Sequence, residues 1–185
     1  MTGNSALIRL LAERSAKQGQ FTLASGKQST FYIDARLTTM SPEGLSIIGP
    51  LGVATIQKTG WNVDAVGGLT LGADPISYAI SYASAISDHP LRAFTVRKEV
   101  KAHGTGKLIE GPLRPGDHVV VIEDVITTGD SALRAIEAVR NAKASVSGLM
   151  ALVDREEGGQ KAIESAGVAV VSLVTATEII RALTS

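Results

Sequence analysis

Two carboxylates followed at once by a run of small hydroxyl residues are the chemically loaded part of this chain. Glu123 and Asp124 close an apolar, β-branched run at 118–122 and lead into Val125-Ile126-Thr127-Thr128-Gly129-Asp130-Ser131. The apolar run fits a buried parallel strand, and a helical pattern starts at Ala132. A strand, a tight loop and a helix in that order aim backbone N–H groups and the positive helix end at whatever lies above the strand. That is a cradle for phosphate. Thr127, Thr128 and Ser131 add hydroxyl donors, and Gly129 lets the backbone come close. Carboxylates repel phosphate but accept hydrogen bonds from vicinal hydroxyls, so a sugar phosphate satisfies the whole stretch. The plainer alternative is a buried strand that ends in acids. An apolar strand ending in Asp also suits a nucleotide hydrolase, but the partner motif G-x-x-x-x-G-K-[ST] is absent. Gly104-Thr105-Gly106-Lys107 lacks the earlier glycine, and Leu108 follows the lysine.

Three further groups could meet the same ligand. A second glycine-rich loop, 67–76, follows the short strand expected at 63–67 and precedes a helix expected to reach about Ser87. Two such loops at strand C-termini can hold two phosphate-bearing ends of one molecule. The polar segment 97–107 has no clear period and carries Arg97, Lys98, Lys101, His103 and Lys107. A structureless stretch of that length inside a compact domain is usually a functional lid; the bland alternative is a solvated basic hairpin tip. Phe21, Phe31 and Tyr32 cluster near Lys27 in a chain that is only 4% aromatic, and a flat ligand such as a base could sit there. Arg155 stands just past a strand expected at 145–153. It either pairs with a neighbouring acid or meets a ligand at the strand's C-terminal end.

The elements that would position these residues alternate along the chain. A first helix is expected from Asn4 or Ser5 to a stop at Gly19, then a hairpin over 21–36 turning at Gly26-Lys27. Ser41-Pro42 opens a second helix that Gly60 ends. Further strands are expected at 91–96, 108–109 and 168–174, with helices ending at Ala166 and starting at Thr177. Such alternation defines an α/β fold, a mostly parallel sheet with helices on both faces. Residues 1–185 form one domain in this reading, and residues 1–40 contribute a small N-terminal cap.

Bulk properties narrow the partners. Formal net charge is zero, so nothing favours nucleic acid or an anionic membrane. The absence of cysteine excludes a disulfide framework and a thiolate zinc site, and it fits a cytosolic protein. No apolar run is long enough to span a bilayer.

The stretch Glu-Asp-Val-Ile-Thr-Thr-Gly, 123–129, resembles the phosphoribosyl-pyrophosphate loop of type I phosphoribosyltransferases. Four segments together resemble the orotate phosphoribosyltransferase family, from Phe21 to about Gly158. FTLASGKQSTFYID is similar to its N-terminal segment, GLTLGADPI to its pyrophosphate loop, RKEVKAHGTGKLIEG to its mobile catalytic loop, and Arg155 to its orotate carboxylate clamp. Some members carry Lys where Ala24 stands; Lys27 is the candidate replacement.

The resemblance implies transfer of ribosyl phosphate from phosphoribosyl pyrophosphate to orotate. It implies Mg²⁺ without direct protein ligation, and a cytoplasmic homodimer in which loop 97–107 reaches the neighbouring site. It gives Arg97, Lys98, Lys101, His103 and Asp124 catalytic roles. Phosphoribosyl pyrophosphate would meet those four loop residues and 123–131; orotate would meet Thr127, Arg155, Lys27, Phe31 and Tyr32. A transferase for another base and a non-catalytic phosphoribosyl-pyrophosphate-binding regulator are the alternatives.

Overall fold

The structure is a computed structural model that describes residues 3–22, 28–99 and 108–184. A helix α1 (Gly3–Arg14) leads directly into a two-stranded antiparallel hairpin, β1 (Ala16–Thr22) and β2 (Gln28–Ile33). Gly19, the expected helix stop, lies inside β1. The helix ends five residues earlier because β1 pairs with β2 from Ala16↔Ile33 onward. A short α2 (Arg36–Thr39), not evident in the sequence, turns the chain into α3 (Pro42–Thr59). The start of α3 is as expected. Ser41 Oγ accepts from the Gly44 N–H at 3.0 Å, Pro42 occupies the first turn, and Gly60 closes the helix at φ +70°.

Next come β3 (Ala65–Leu69), α4 (Ala73–Ser84), β4 (Arg92–Val96), β5 (Ile109–Glu110) and β6 (His118–Ile126). The chain closes with α5 (Asp130–Asn141), β7 (Ser145–Asp154), α6 (Gly159–Ser165), β8 (Val170–Thr175) and α7 (Ala176–Thr184). The main sheet has six strands in the order β5-β4-β3-β6-β7-β8, all parallel except β5.

Val119, Val120, Val121 and Ile122 are all buried because apolar clusters cover both faces of this sheet. Val120 and Ile122 join Leu7, Leu11, Ile48, Ile76, Ile80 and Ile179 from α1, α3, α4 and α7. Val119 and Val121 join Ala135, Ile136 and Val139 of α5 and Ile163 of α6. The α/β architecture is thus as expected. Phe31 and Ile33 of the hairpin belong to the first cluster. None of the helices among the described residues is long and apolar enough to cross a membrane.

The strand order fixes where a ligand can sit. From β3 the chain winds outward to β4, then returns to β6 and winds the other way to β7 and β8. Loops that leave β3 and β6 therefore diverge at their C-terminal ends and open a crevice at that switch point.

Candidate active site

The two loops at the switch point are the glycine-rich loop and the acidic loop. β6 runs four residues beyond the expected end at Ile122. Its pairing with β3 stops at Gly67↔Val121, but pairing with β7 continues to Ile126↔Asp154. Glu123 and Asp124 thus lie on the strand, at the point where it has lost its β3 neighbour. The chain leaving β3 crosses there, and the peptide bond Thr70-Leu71 is cis. Gly72 lies directly against the Asp124 carboxylate, and a Cβ at that position would collide with it. Asp74 pins the loop: its carboxylate accepts from Thr70 Oγ1 at 2.6 Å and Thr95 Oγ1 at 2.8 Å.

Burial dominates the electrostatics of the acid pair. Glu123 is 8% exposed, and its Oε2 is buried with no hydrogen-bond partner among the described residues. Its carboxyl is pushed up to about 8, by burial first and then by the charge of Asp124. Asp124 is raised as well by burial, against the pull of the Val125 N–H, which donates to Oδ1 at 2.9 Å. A raised carboxyl pKa means that the folded chain holds a proton the unfolded chain has released. The stability that proton contributes is whole below about 4.5 and is lost as pH rises to about 8. Unliganded protein is therefore expected to melt at lower temperature as pH climbs through that window, and Glu123→Gln to flatten the slope. Thermal melts across pH for both proteins check this. Equal slopes would show that Glu123 is already ionised in the folded state.

Beyond Ile126 the chain makes the cradle. Gly129 adopts φ +91°, which glycine takes without steric cost, and no side chain caps α5. The first-turn N–H groups of α5 lack intrahelical acceptors and, with the helix dipole, favour an anion. Thr128 Oγ1 is turned to Asp130 at 2.9 Å. Gly159 of α6 packs directly under the Thr127 carbonyl.

Arg155 emerges beside this loop, its N–H donating to the Ile126 carbonyl at 3.0 Å. Its side chain is 7% exposed and lies over the Phe31 ring, 5.5 Å from the centroid. One terminal nitrogen contacts Ser29 Oγ and the Phe31 carbonyl, each at 3.3 Å, and Glu157 at 2.7 Å. Of the two sequence alternatives for Arg155, the structure shows the pair with a neighbouring acid, made at the C-terminal end of β7.

The structure joins Glu123, Asp124, Val125, Ile126, Thr127, Thr128, Gly129, Asp130, Ser131 and Arg155 on two neighbouring strand ends. Phe31 reaches them through Arg155. Tyr32 points to the other face of β2, 39% exposed, with its ring against Phe21. The two aromatics therefore do not flank one ring together. Ahead of residues 100–107, the Arg97 N–H donates to the Leu108 carbonyl at 2.8 Å, and its side chain pairs with Glu110 at 3.3 Å. Arg134 of α5 donates to the Lys98 carbonyl at 2.8 Å, tying this segment to α5. Lys27, Lys101 and His103 lie outside the described residues.

Two charged residues that the sequence did not single out border the site. Arg36, in a bidentate pair with Asp34 at 2.8 and 2.9 Å, lies within electrostatic reach of Asp124. Glu157 is the second. Among the described residues no group of three or more His, Asp or Glu side chains gathers to hold a metal. A cavity of about 1060 Å³ lies away from the acids along α3 and α4. It is lined by Leu45, Pro50, Val53, Tyr78, Tyr82 and Ile86, and it reaches Leu71 and Asp74 of the glycine loop.

A doubly wound sheet with an acidic loop and a glycine loop facing each other across the switch point defines a phosphoribosyltransferase of type I. The chain matches the family described as the phosphoribosyl transferase domain over residues 44–182. It is 45% identical over 183 residues to the orotate phosphoribosyltransferase of Aquifex aeolicus, covering 97% of this chain and 99% of that one. Identity to the Synechocystis orotate phosphoribosyltransferase is 47% over 174 residues, covering 94% and 86%. The crystal structure of Mycobacterium tuberculosis orotate phosphoribosyltransferase with Fe(III) dicitrate superposes with a TM-score of 0.82 at 37% identity, covering 96% and 98%. A complex of the same enzyme with phosphoribosyl pyrophosphate gives 0.78 at 34%, covering 96% and 98%. This chain belongs to the orotate phosphoribosyltransferase family.

Proposed function

We propose that the chain transfers ribosyl phosphate from phosphoribosyl pyrophosphate to orotate, giving orotidine monophosphate and pyrophosphate. The observation that carries this reading is the placement of the acid pair between two phosphate-suited loops, with the buried Arg155 guanidinium one strand away. The C1–O bond to pyrophosphate breaks, the orotate ring nitrogen bonds C1, and the proton of that nitrogen passes to the departing pyrophosphate or to water.

Residues 123–131 hold the ribosyl phosphate: the N–H groups and hydroxyls around Thr127 to Ser131 take the phosphate, and Glu123 and Asp124 take the ribose hydroxyls. Asp124 offsets the positive charge that develops on the ribose. Arg97, Lys98, Lys101 and His103 meet the charge on the departing pyrophosphate in a closed, drier site. Thr127, Arg155 and Lys27 position orotate, Phe31 backs the Arg155 guanidinium, and the planar fork of Arg155 matches the orotate carboxylate.

The hard, partly orphaned oxygens of the acid pair fit Mg²⁺ held mainly through substrate oxygens and water. When bound, it neutralises charge on the phosphate oxygens. Residues 1–185 act as one unit with 1–40 as its cap, and we place the cysteine-free chain in the cytoplasm. It works as a homodimer. The apolar face of α3 and α4, where Leu71, Tyr82 and Ile86 are 55%, 86% and 98% exposed, is continuous with the glycine loop and suits a second copy. Loop 97–107 would then reach the neighbour's site.

A transferase for a neutral base leaves the buried Arg155 cation without a role, and a non-catalytic regulator would not turn over. Purified protein should consume orotate, followed by absorbance, only when phosphoribosyl pyrophosphate and Mg²⁺ are both present. Turnover of adenine, hypoxanthine or uracil with none of orotate would overturn the assignment.

A further inference from the structure

Resting on the reading of Arg155 as the orotate clamp, we propose that Glu157 is a stand-in carboxylate that neutralises Arg155 in the empty site and that orotate must displace. A guanidinium whose side chain is only 7% exposed needs a counter-charge when the site is empty, because an unpaired buried cation is costly. Glu157 Oε1 supplies it at 2.7 Å from one terminal nitrogen. The pairing is incomplete: Arg155 Nε is buried with no hydrogen-bond partner among the described residues, and the other acceptors, Ser29 Oγ and the Phe31 carbonyl, are neutral and sit at 3.3 Å. A planar carboxylate that takes the place of Glu157 at this terminal nitrogen can turn its second oxygen to the orphaned Nε on the same edge, a bidentate pair that Glu157 does not make. Two carboxylates on one cation repel, so one leaves.

Exposure decides which group moves. Arg155 is fixed by the Phe31 ring and by β2, whereas the Glu157 side chain is 38% exposed and can swing into water. The turn that carries Glu157 stays in place. Glu156 N–H donates to Asp154 Oδ1 at 2.8 Å, and the Glu156 carboxylate accepts from Thr177 N–H and Oγ1 at 2.9 and 2.6 Å. A rigid turn with one free carboxylate returns the same competitor after each product leaves. A base without a carboxylate offers Arg155 nothing in exchange and leaves the Glu157 pair closed.

The test is the KM for orotate at saturating phosphoribosyl pyrophosphate in Glu157→Gln and Glu157→Ala, with uracil as the uncharged competitor and Arg155→Ala as control. Removing the competing charge should lower the orotate KM roughly three- to tenfold and leave inhibition by uracil unchanged. Two substitutions guard against one that fails to fold, and thermal melts show which are native. A KM that stays the same or rises overturns the proposal, since Glu157 would then merely orient Arg155. Arg155→Ala should raise the orotate KM about ten- to a hundredfold. If it does not, the orotate clamp itself is misplaced, and that failure is distinct from a Glu157 effect of the wrong sign.

Discussion

Asp124→Asn is expected to fold normally and to lose about a hundredfold or more in turnover. The loss follows from charge, because Asn keeps the shape while removing the negative group beside the ribose, whose positive charge grows only on the way to the transition state. Stability should not suffer: burial already raises the Asp124 carboxyl, so the charged form is disfavoured in the fold.

Gly72→Ala should produce a comparable loss by another route. Gly72 has φ −64° and ψ −45°, values that alanine adopts freely, so the backbone is not strained. Its new methyl would meet the Asp124 carboxylate and push it off the ribose. Two substitutions acting on one group do not add, so the double variant should be little worse than Asp124→Asn alone. Steady-state kinetics on the three proteins decide the matter. Full turnover in Asp124→Asn would make Asp124 a structural acid, and additive losses would give Gly72 a role of its own.

The parts of the site legible in the sequence are those that are contiguous in the chain. Residues 123–131 contain strand end, acids, hydroxyls and helix start in one run, so local rules were enough to place them together at the end of a strand and the start of a helix. The limit of β6 was misread because an acid at the end of an apolar run looks like a strand terminus. Only pairing with β7, a long-range fact, carries β6 to Ile126. Gly19 misled in the same way: it is a helix stop by composition, yet the partner strand decides its conformation.

Arg36 and Glu157 were missed because their roles rest on ion pairs and on neighbours far away in the chain. Glu157 sits in an acidic, glycine-bearing turn that reads as solvated surface. Its meaning comes from Arg155 being wedged under β2, more than 120 residues away in sequence. The α3–α4 face had a visible signal. Ile76 and Ile80 are fully buried while Tyr78 and Tyr82 are exposed on the same helix. A helix apolar on two sides needs a second burial partner.

Mixed dimers should recover activity that neither parent shows, the outcome that a lid reaching the neighbour's site demands. Take Lys101→Ala, expected to be inactive through the lid, and Asp124→Ala, inactive through the sugar loop. If each lid serves the neighbour's site, a mixed dimer combines both defects in one site and leaves the other intact. Random exchange in a two-fold dimer makes about half of all dimers mixed, so activity should return to roughly a quarter of wild type. If each lid serves its own subunit, both sites of a mixed dimer keep one defect, and activity stays at the mutant baseline. Mass-tagged subunits report exchange independently of activity. The α3–α4 face enters through a third protein: Tyr82→Asp, combined with either parent, puts a charge on a side chain that is 86% exposed in the single chain. It should abolish both exchange and recovery, because an ionised group in an apolar interface is costly. Exchange without recovery in the original pair would show that the lid acts within its own subunit. Recovery that survives Tyr82→Asp would place the dimer contact elsewhere.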